Sequence, residues 1–294
     1  MPEVDKPATA THSDSLVSVT SEVERRARTG RFSGALQVAG DPGGQFHFRT
    51  GAVVEVSSPG APDVETLLLH SGRVSETDWT AAVRAGAAGD RAGAELVARG
   101  LVGRAELQLV CLMAALDGAL AIGMGRIDGF SFDAGAPFQH LAAPQGIEAD
   151  WLLQEAARRI GVIASLASPH PPFSSRPQRT AAGTTLLDGP VGGDRREILR
   201  RVNGRRSARD IAFLLGRSLY AVTVELARMQ GEGLVETAPA HRTGSAAENG
   251  PAPLPAGGRT GLPALPVRQR GASGINDLLP LRPVTDRPWS ASAD

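Results

Sequence analysis

The chain has almost no lysine or cysteine and no excess of charge of either sign. Lys6 is its single lysine, so the folded part lacks the lysine that a Walker-type phosphate loop or Schiff-base chemistry requires. Cys111 is its single cysteine, which excludes disulfide scaffolds and cysteine metal sites. Because 31 basic and 31 acidic residues give a formal net charge of zero, the charge of the whole molecule favours neither nucleic acid nor membrane as a partner.

Two further absences concern targeting and catalysis. The N-terminus lacks the apolar core of a signal peptide, and no stretch has about eighteen uninterrupted apolar residues, so we expect a soluble, cytoplasmic protein. The six histidines are scattered without metal-ligand spacing, and no nucleophile or dinucleotide motif stands in a suitable context. We therefore expect no enzymatic activity, no cofactor and no metal.

The first part of the chain predicts an α+β module. Residues 1–12 are polar and are predicted to be disordered, and residues 14–29 are predicted to form a helix. Residues 34–39, 45–49 and 52–56 alternate apolar and other side chains with period two, which is typical of short strands with one face toward a core. Turn sequences separate these strands, so they predict an antiparallel meander.

A helical repeat follows, in which six positions recur 28 residues later. Leu68-Leu69, Gly72, Val74, Asp78 and Trp79 are matched by Leu96-Val97, Gly100, Val102, Glu106 and Leu107. Each copy predicts a helix ended by glycine, a buried valine, and a new helix with an acid in its first turn. The second copy leads into an apolar helix, which we expect to be central.

Two more elements are predicted to close this module. Residues 119–123 and 129–133 are predicted to form a β-hairpin with Phe130 and Phe132 facing inward. Residues 147–166 are predicted to form a helix, since apolar side chains recur at helical spacing. Its predicted buried stripe is Leu152, Leu153, Ala156, Ile160 and Ile163.

These elements, in this order, resemble the PatA-like N-terminal (PATAN) family of bacterial regulatory modules over residues 13–166. The resemblance is carried by Phe32-Ser33-Gly34-Ala35-Leu36-Gln37-Val38, Gly51-Ala52-Val53-Val54, the Leu-Leu-x-x-Gly repeat and Gly129-Phe130-Ser131-Phe132. It implies an interaction or sensing module with no catalytic residues. Family members are associated with small Ras-like GTPases, roadblock-type proteins or two-component systems, so the resemblance also implies a signalling role.

Residues 183–237 predict a winged helix-turn-helix domain, joined to the first module by a Pro-rich linker at 167–182. Ser207 and Gly216 are predicted to begin and end its second helix. The apolar positions of the three helices are Ile198, Leu199 and Val202, then Ile211, Leu214 and Leu215, then Leu219, Val222, Leu226 and Met229. Residues 184–187 are predicted as a strand that pairs with Leu234-Val235, and no second wing strand follows. Three tightly packed helices that never touch DNA can show the same pattern.

The outward side of the third helix and the arginines before it form the predicted site. At about 100° per residue, helical periodicity places on that side Arg217, Tyr220, Ala221, Val224, Ala227 and Arg228. Residues 194–236 hold nine arginines against six carboxylates, a net charge of about +3 that is well short of a strongly basic footprint. Arginines at 200–209 suit either phosphate contacts or a solvated face. The predicted DNA- or partner-binding residues are Arg205, Arg206, Arg209, Arg217, Tyr220, Val224 and Arg228.

Two functions are compatible with this sequence. The first is a transcription regulator in which a signal at the PATAN-like module changes the orientation or pairing of a DNA-binding winged helix, with homodimerisation as one option. The second is a protein–protein adaptor in which Tyr220, Ala221 and Val224 form a docking face for a small GTPase, a roadblock-type protein or a two-component protein. Residues 238–294, rich in Pro, Gly and Ala, are predicted to be disordered. Two stretches of this tail, 262–270 and 275–281, combine apolar residues with arginine. They are compatible with a short docking motif or with an unstructured tail that contains leucines by chance.

Overall fold

The computed structural model describes residues 12–30, 32–86, 91–134, 141–166, 171–188 and 193–237. The described chain is a mixed α and β protein that contains a four-stranded antiparallel sheet. Of the residues predicted to be disordered, 1–11 and 238–294 lie outside the described residues, as do the two stretches of the predicted docking motif, while His12 lies in a helix.

The four-stranded sheet has the order β3-β2-β1-β4. Its strands are β1 (Gly34–Asp41), β2 (Gly44–Arg49), β3 (Ala52–Ser57) and β4 (Arg126–Asp133). Leu36 of β1 is paired with Phe46 of β2, and Phe46 is paired with Val56 of β3. All three are buried, because the period of two places them on one face of the sheet. The first three strands extend the predicted ones by one or two residues.

The predicted hairpin is wrong in its first strand. Residues 119–123 belong to the helix α5 (Arg104–Met124), and β4 pairs with β1 instead. A short apolar run is compatible with strand and helix alike, and packing decides here for helix. Leu120 is fully buried, and Gly118 lets the helix approach β3 so closely that a Cβ there would lie 2.6 Å from the Val56 carbonyl oxygen.

The two aromatic residues of β4 differ in burial. Phe130 is 42% exposed, so the prediction that it faces inward is wrong. Phe132 is partly buried; its ring centroid lies 4.4 Å from that of Phe32, and the Arg26 guanidinium lies 4.4 Å from the Phe132 centroid. The strand β4 lies at the edge of the sheet, and Phe32 and Arg26 pack against Phe132 there.

Five helices surround the sheet together with α5. They are α1 (His12–Arg28), α2 (Val64–His70), α3 (Glu76–Gly86), α4 (Ala92–Ala98) and α6 (Ala149–Ser165). The predicted repeat is confirmed: Gly72 and Gly100 have left-handed φ values of 74° and 68°, and Val74 and Val102 are buried. In α6, Leu152, Ala156 and Ile163 are buried as predicted.

The helix α5 is the most deeply buried element. Every residue from Ala114 to Gly123 is buried. Among the described residues, α5 is also the one helix long and apolar enough to cross a membrane, with 67% of its most apolar window buried inside the protein. Length and composition alone do not distinguish such a helix from a core helix.

The C-terminal part is built from β5 (Pro177–Arg179), α7 (Ala181–Asp188), α8 (Gly193–Arg201), α9 (Ala208–Leu215), α10 (Leu219–Gly231) and β6 (Val235–Thr237). The strand predicted at residues 184–187 is wrong, because this stretch lies in α7. The Thr180 hydroxyl accepts the Gly183 amide at 3.1 Å and so starts the helix. The antiparallel partner of β6 is β5, which falls inside the predicted linker.

A second hydrophobic core joins the two predicted modules. It contains Leu199, Ile211 and Val222 of the C-terminal helices together with Leu120 of α5 and Ile163 of α6. Residues on both sides of the predicted linker therefore share one core.

Candidate docking and nucleic-acid interface

The helix-turn-helix unit of α9 and α10 is formed by local chemistry that the sequence predicts. The Ser207 hydroxyl accepts the Asp210 amide at 3.2 Å, while the Asp210 carboxylate accepts the Ser207 amide at 2.9 Å. Gly216 ends α9 with a left-handed φ of 58°, and Ser218 is the N-cap of α10. The turn between the helices is thus fixed at both ends.

The N-terminus of α10 is held by a buried carboxylate of the first module. Asp117 on α5 has no exposed surface. Its carboxylate oxygens accept the Leu219 amide at 2.6 Å, the Ser218 hydroxyl at 3.0 Å and the Tyr220 amide at 3.4 Å. A helix N-terminus carries partial positive charge and unpaired amides, so a carboxylate is well suited to this position.

Arg159 of α6 completes this contact. Its Nη1 lies 3.7 Å from Asp117 Oδ1, and its guanidinium lies 4.9 Å from the centroid of the Tyr220 ring. Glu155, one turn earlier on α6, holds the Arg159 Nε at 2.9 Å. Hydrogen bonding from the neighbouring Arg158 lowers the pKa of Glu155 to about 2, so that carboxylate stays ionised.

Burial raises the pKa of Asp117 to about 6, while the hydrogen bonds from Ser218, Leu219 and Tyr220 and the charge of Arg159 act in the opposite direction. At neutral pH this carboxylate is ionised. Its charge is then compensated by the donors of α10 and by Arg159.

The turn between α9 and α10 is held by a second contact, with the C-terminus of α2. His70 Nδ1 donates to the Phe213 carbonyl oxygen. Gly216 packs against α2 so closely that a Cβ there would lie 2.5 Å from the Ser71 nitrogen. The turn and the start of α10, which a DNA-binding helix-turn-helix directs toward the major groove, therefore face the first module.

The predicted site residues on α10 fall into different environments. Tyr220 and Val224 are partly buried, while Arg228 is exposed and its Nη1 lies 3.7 Å from Glu225. Arg217 binds Asp194 and Glu197 of α8, the latter at 3.0 Å.

Two details of the predicted face are wrong. Ala227, placed on the outward side by helical periodicity, is buried at 6% exposure. Leu214, placed in the core, is 43% exposed. Both differences depend on tertiary packing, which helical periodicity alone does not determine.

The predicted arginines before α10 lie on the surface. Arg205 is exposed, and Arg206 is partly buried with its Nη1 donating to the Arg201 carbonyl oxygen at 3.3 Å. Arg209 lies 3.5 Å from the Asp210 carboxylate, and its amide donates to Pro172. Arg205 and Arg206 thus differ from Arg217, which pairs with two carboxylates, and from Tyr220, whose ring lies against the Arg159 guanidinium.

Sequence reasoning missed Asp117, Arg159 and His70. Asp117 did give a signal, because it is the one charged residue in an apolar helical stretch from Leu107 to Met124. Such a carboxylate is buried at a cost unless donors surround it. Its partners could not be found this way, since Ser218 lies 101 positions later in the chain.

The described residues contain no cluster of histidine, cysteine, aspartate and glutamate that could hold a metal ion. Burial, followed by the charge of Glu55, raises the pKa of the Cys111 thiol to about 12, so the thiol is protonated at neutral pH and is a poor nucleophile. A cleft of about 690 Å³ lies between Phe213 of α9 and the strands β1, β2 and β4. Its lining combines glycines and polar side chains, such as Gln37 and Ser131, with apolar ones, such as Phe130 and Val38.

The chain matches no protein-family model, no curated protein and no solved structure. The arrangement of α10 on α5 and α6 is therefore the main basis for a functional proposal.

Proposed function

We propose that this protein is a non-enzymatic, cytoplasmic regulatory adaptor of bacterial signalling, in which the α8–α10 unit is a fixed part of a protein-docking surface. The observation that carries this proposal is the contact of Asp117 with the first amides of α10. In this arrangement the start of α10 is occupied by the protein itself. The helix-turn-helix then serves as a scaffold for a partner and does not read bases with α10.

The proposed docking face combines exposed apolar residues with the outer side of α10. Leu214 is 43% exposed, Ala221 is exposed and Val224 is half-buried. Apolar side chains of this kind suit a protein surface better than a base edge, for which Arg, Asn or Gln is typical. The PATAN resemblance favours a small GTPase, a roadblock-type protein or a two-component protein as the partner.

DNA-binding transcription regulation by a winged helix remains the second candidate. The left-handed Gly216 between α9 and α10, with Val222 fully buried behind it, is the geometry that a DNA-binding helix-turn-helix requires. For α10 to enter a major groove, its contacts with Asp117 and the contacts of the preceding turn with α2 must first break. This candidate therefore requires a signal that opens the interface between the two parts, whether in a monomer or in a homodimer.

Photo-crosslinking in cells of the source organism tests the adaptor role. A crosslinking amino acid at Ala221 should trap a partner that is then purified and shown to bind directly, and Leu214→Asp should abolish this binding. A crosslinker at the exposed Thr80 of α3 serves as the control position. Sequence-specific DNA binding by the purified protein, lost in Arg228→Ala and Ala221→Glu variants, would replace the adaptor role with the second candidate.

A further inference from the structure

Apart from Arg196, which donates to the Leu187 carbonyl oxygen, the arginines of α8, α9, α10 and the turns between them fall into two groups by their partners. Arg195, Arg209, Arg217 and Arg228 each lie within 4.0 Å of a carboxylate. Arg200, Arg201, Arg205 and Arg206 have no carboxylate partner within the described part of the chain. In the described chain, the second group therefore lies together at the end of α8 and in the turn that follows it.

These four arginines lie on a turn of fixed shape, which we call the basic turn (residues 200–206). The Asn203 side-chain oxygen accepts the amides of Arg205 at 3.0 Å and Arg206 at 3.2 Å. Gly204 has a left-handed φ of 76°, and its amide donates to the Pro177 carbonyl oxygen at 2.9 Å. Val202 within the turn is fully buried. The backbone is thus anchored to β5 and to the core.

The side chains of the basic turn point to solvent. Arg200, Arg201 and Arg205 are exposed, and Arg206 is half-buried. Asp210 nearby is engaged in the N-cap of α9, and it lies beside Arg209. Asp194 and Glu197 line the same cavity as Arg200 and Arg201, but in the described chain these two carboxylates pair with Arg217 and not with the basic turn.

We propose that the basic turn binds the phosphate backbone of a nucleic acid, independently of α10. Guanidinium groups bind phosphate oxygens with two parallel hydrogen bonds, and an ordered turn presents several of them without a large loss of backbone entropy. A bilayer surface is a poorer fit, because no large apolar side chain of residues 200–206 is exposed for insertion. Because the contacts are to phosphates, the binding is independent of base sequence and strongly dependent on salt.

This inference does not rest on the adaptor role, since Leu214 and Ala221 are not part of the basic turn. The two can be true together, and each has its own variants.

The test measures the polarization of a labelled random-sequence duplex against full-length protein over a range of salt concentrations. Neutralising three arginines in Arg200→Gln/Arg201→Gln/Arg205→Gln should weaken binding at low salt by about tenfold or more. A plot of the logarithm of the binding constant against the logarithm of the salt concentration should also become less steep. Its slope should decrease in magnitude by about three, because each lost phosphate contact accounts for about 0.9. The control Arg84→Gln/Arg99→Gln/Arg104→Gln removes the same charge from exposed positions of the first module and should leave binding unchanged.

Several results would overturn the proposal. They are absence of duplex binding by the unaltered protein at low salt, unchanged binding in the basic-turn variant, an equal loss in the control variant, and binding to anionic phosphatidylglycerol vesicles without binding to the duplex. A loss of duplex binding confined to Arg217→Gln/Arg228→Gln would likewise refute it and assign the contact to α10.

Discussion

The substitution Asp117→Ala should destabilise the whole protein, because it leaves one buried donor and two partly buried donors at the start of α10 without an acceptor. The Leu219 amide and the Ser218 hydroxyl lose acceptors at 2.6 and 3.0 Å, and the weaker contact of the Tyr220 amide at 3.4 Å is lost as well. Each unsatisfied buried donor costs about 1–3 kcal/mol, and an N-cap substitution alone costs about 0.5–2 kcal/mol. These contributions overlap. The substitution also removes the desolvation cost of the buried carboxylate, which offsets part of the loss of stability. We expect the free energy of unfolding to fall by about 3 kcal/mol.

Urea denaturation followed by circular dichroism measures this loss. The matched control is Glu148→Ala, which removes an exposed carboxylate at the N-cap position of α6, where the side chain makes no cap hydrogen bond. The control should change the free energy of unfolding by less than about 0.5 kcal/mol. A loss in Asp117→Ala no larger than that of the control would refute the idea that this carboxylate holds α10 to the first module.

Three further predictions concern the same interface and the buried thiol. The pKa of Asp117 is raised from 3.8 to about 6 in the folded state, so the folded protein binds this proton more tightly than the unfolded chain does. The free energy of unfolding should therefore fall as pH rises from about 4 to about 6. In Asp117→Asn this pH-dependent fall should be absent, and a pH profile identical to that of the unaltered protein would be evidence against the raised pKa. Gly216→Ala should lower the melting temperature more than Gly72→Ala: both have left-handed φ values, of 58° and 74°, but a Cβ at Gly216 meets the Ser71 nitrogen at 2.5 Å while one at Gly72 meets nothing within 4 Å. Equal shifts in differential scanning calorimetry would contradict the close packing of the turn on α2. Cys111, with its pKa raised to about 12, should react with a disulfide reagent at neutral pH at the rate of unfolding or local opening, and a reaction as fast as that of the denatured chain would show that the thiol is accessible.

The parts of the fold that depend on local chemistry were predictable from the sequence. Gly72 and Gly100 end helices with left-handed backbone, and Ser207 caps α9 with Asp210, because each of these features requires only neighbouring residues. The period of two in β1–β3 predicts the burial of Leu36, Phe46 and Val56, but not that of His47 and Glu55, which alternate with them and are buried as well.

The errors occur where distant packing decides the structure. Residues 119–123 are apolar on every side, so their composition is compatible with a strand, and burial within α5 makes them helical. Thr184 and Thr185 favour a strand by propensity, yet their hydroxyls donate to the carbonyl oxygens of Thr180 and Ala181 at 3.0 and 3.1 Å within α7.

The candidate site follows the same division. Periodicity found the residues of α10, including Tyr220 and Arg228, but gave no information about the surface that packs against them. That surface comes from Asp117 and Arg159, which lie on helices far away in the sequence. A helix-turn-helix with a free third helix and one docked on another module share the same local pattern, so the distinction depends on the tertiary contact.

Hydrogen exchange at the Leu219 amide tests the central claim most directly. Amides in the first turn of a helix have no acceptor within the helix and normally exchange rapidly, as we expect for the first-turn amide of Asp150 in α6. If Asp117 holds α10, the Leu219 amide should exchange as slowly as amides that need global unfolding to open. Exchange of Leu219 as rapid as that of Asp150 would contradict the account and leave the start of α10 free to bind another molecule.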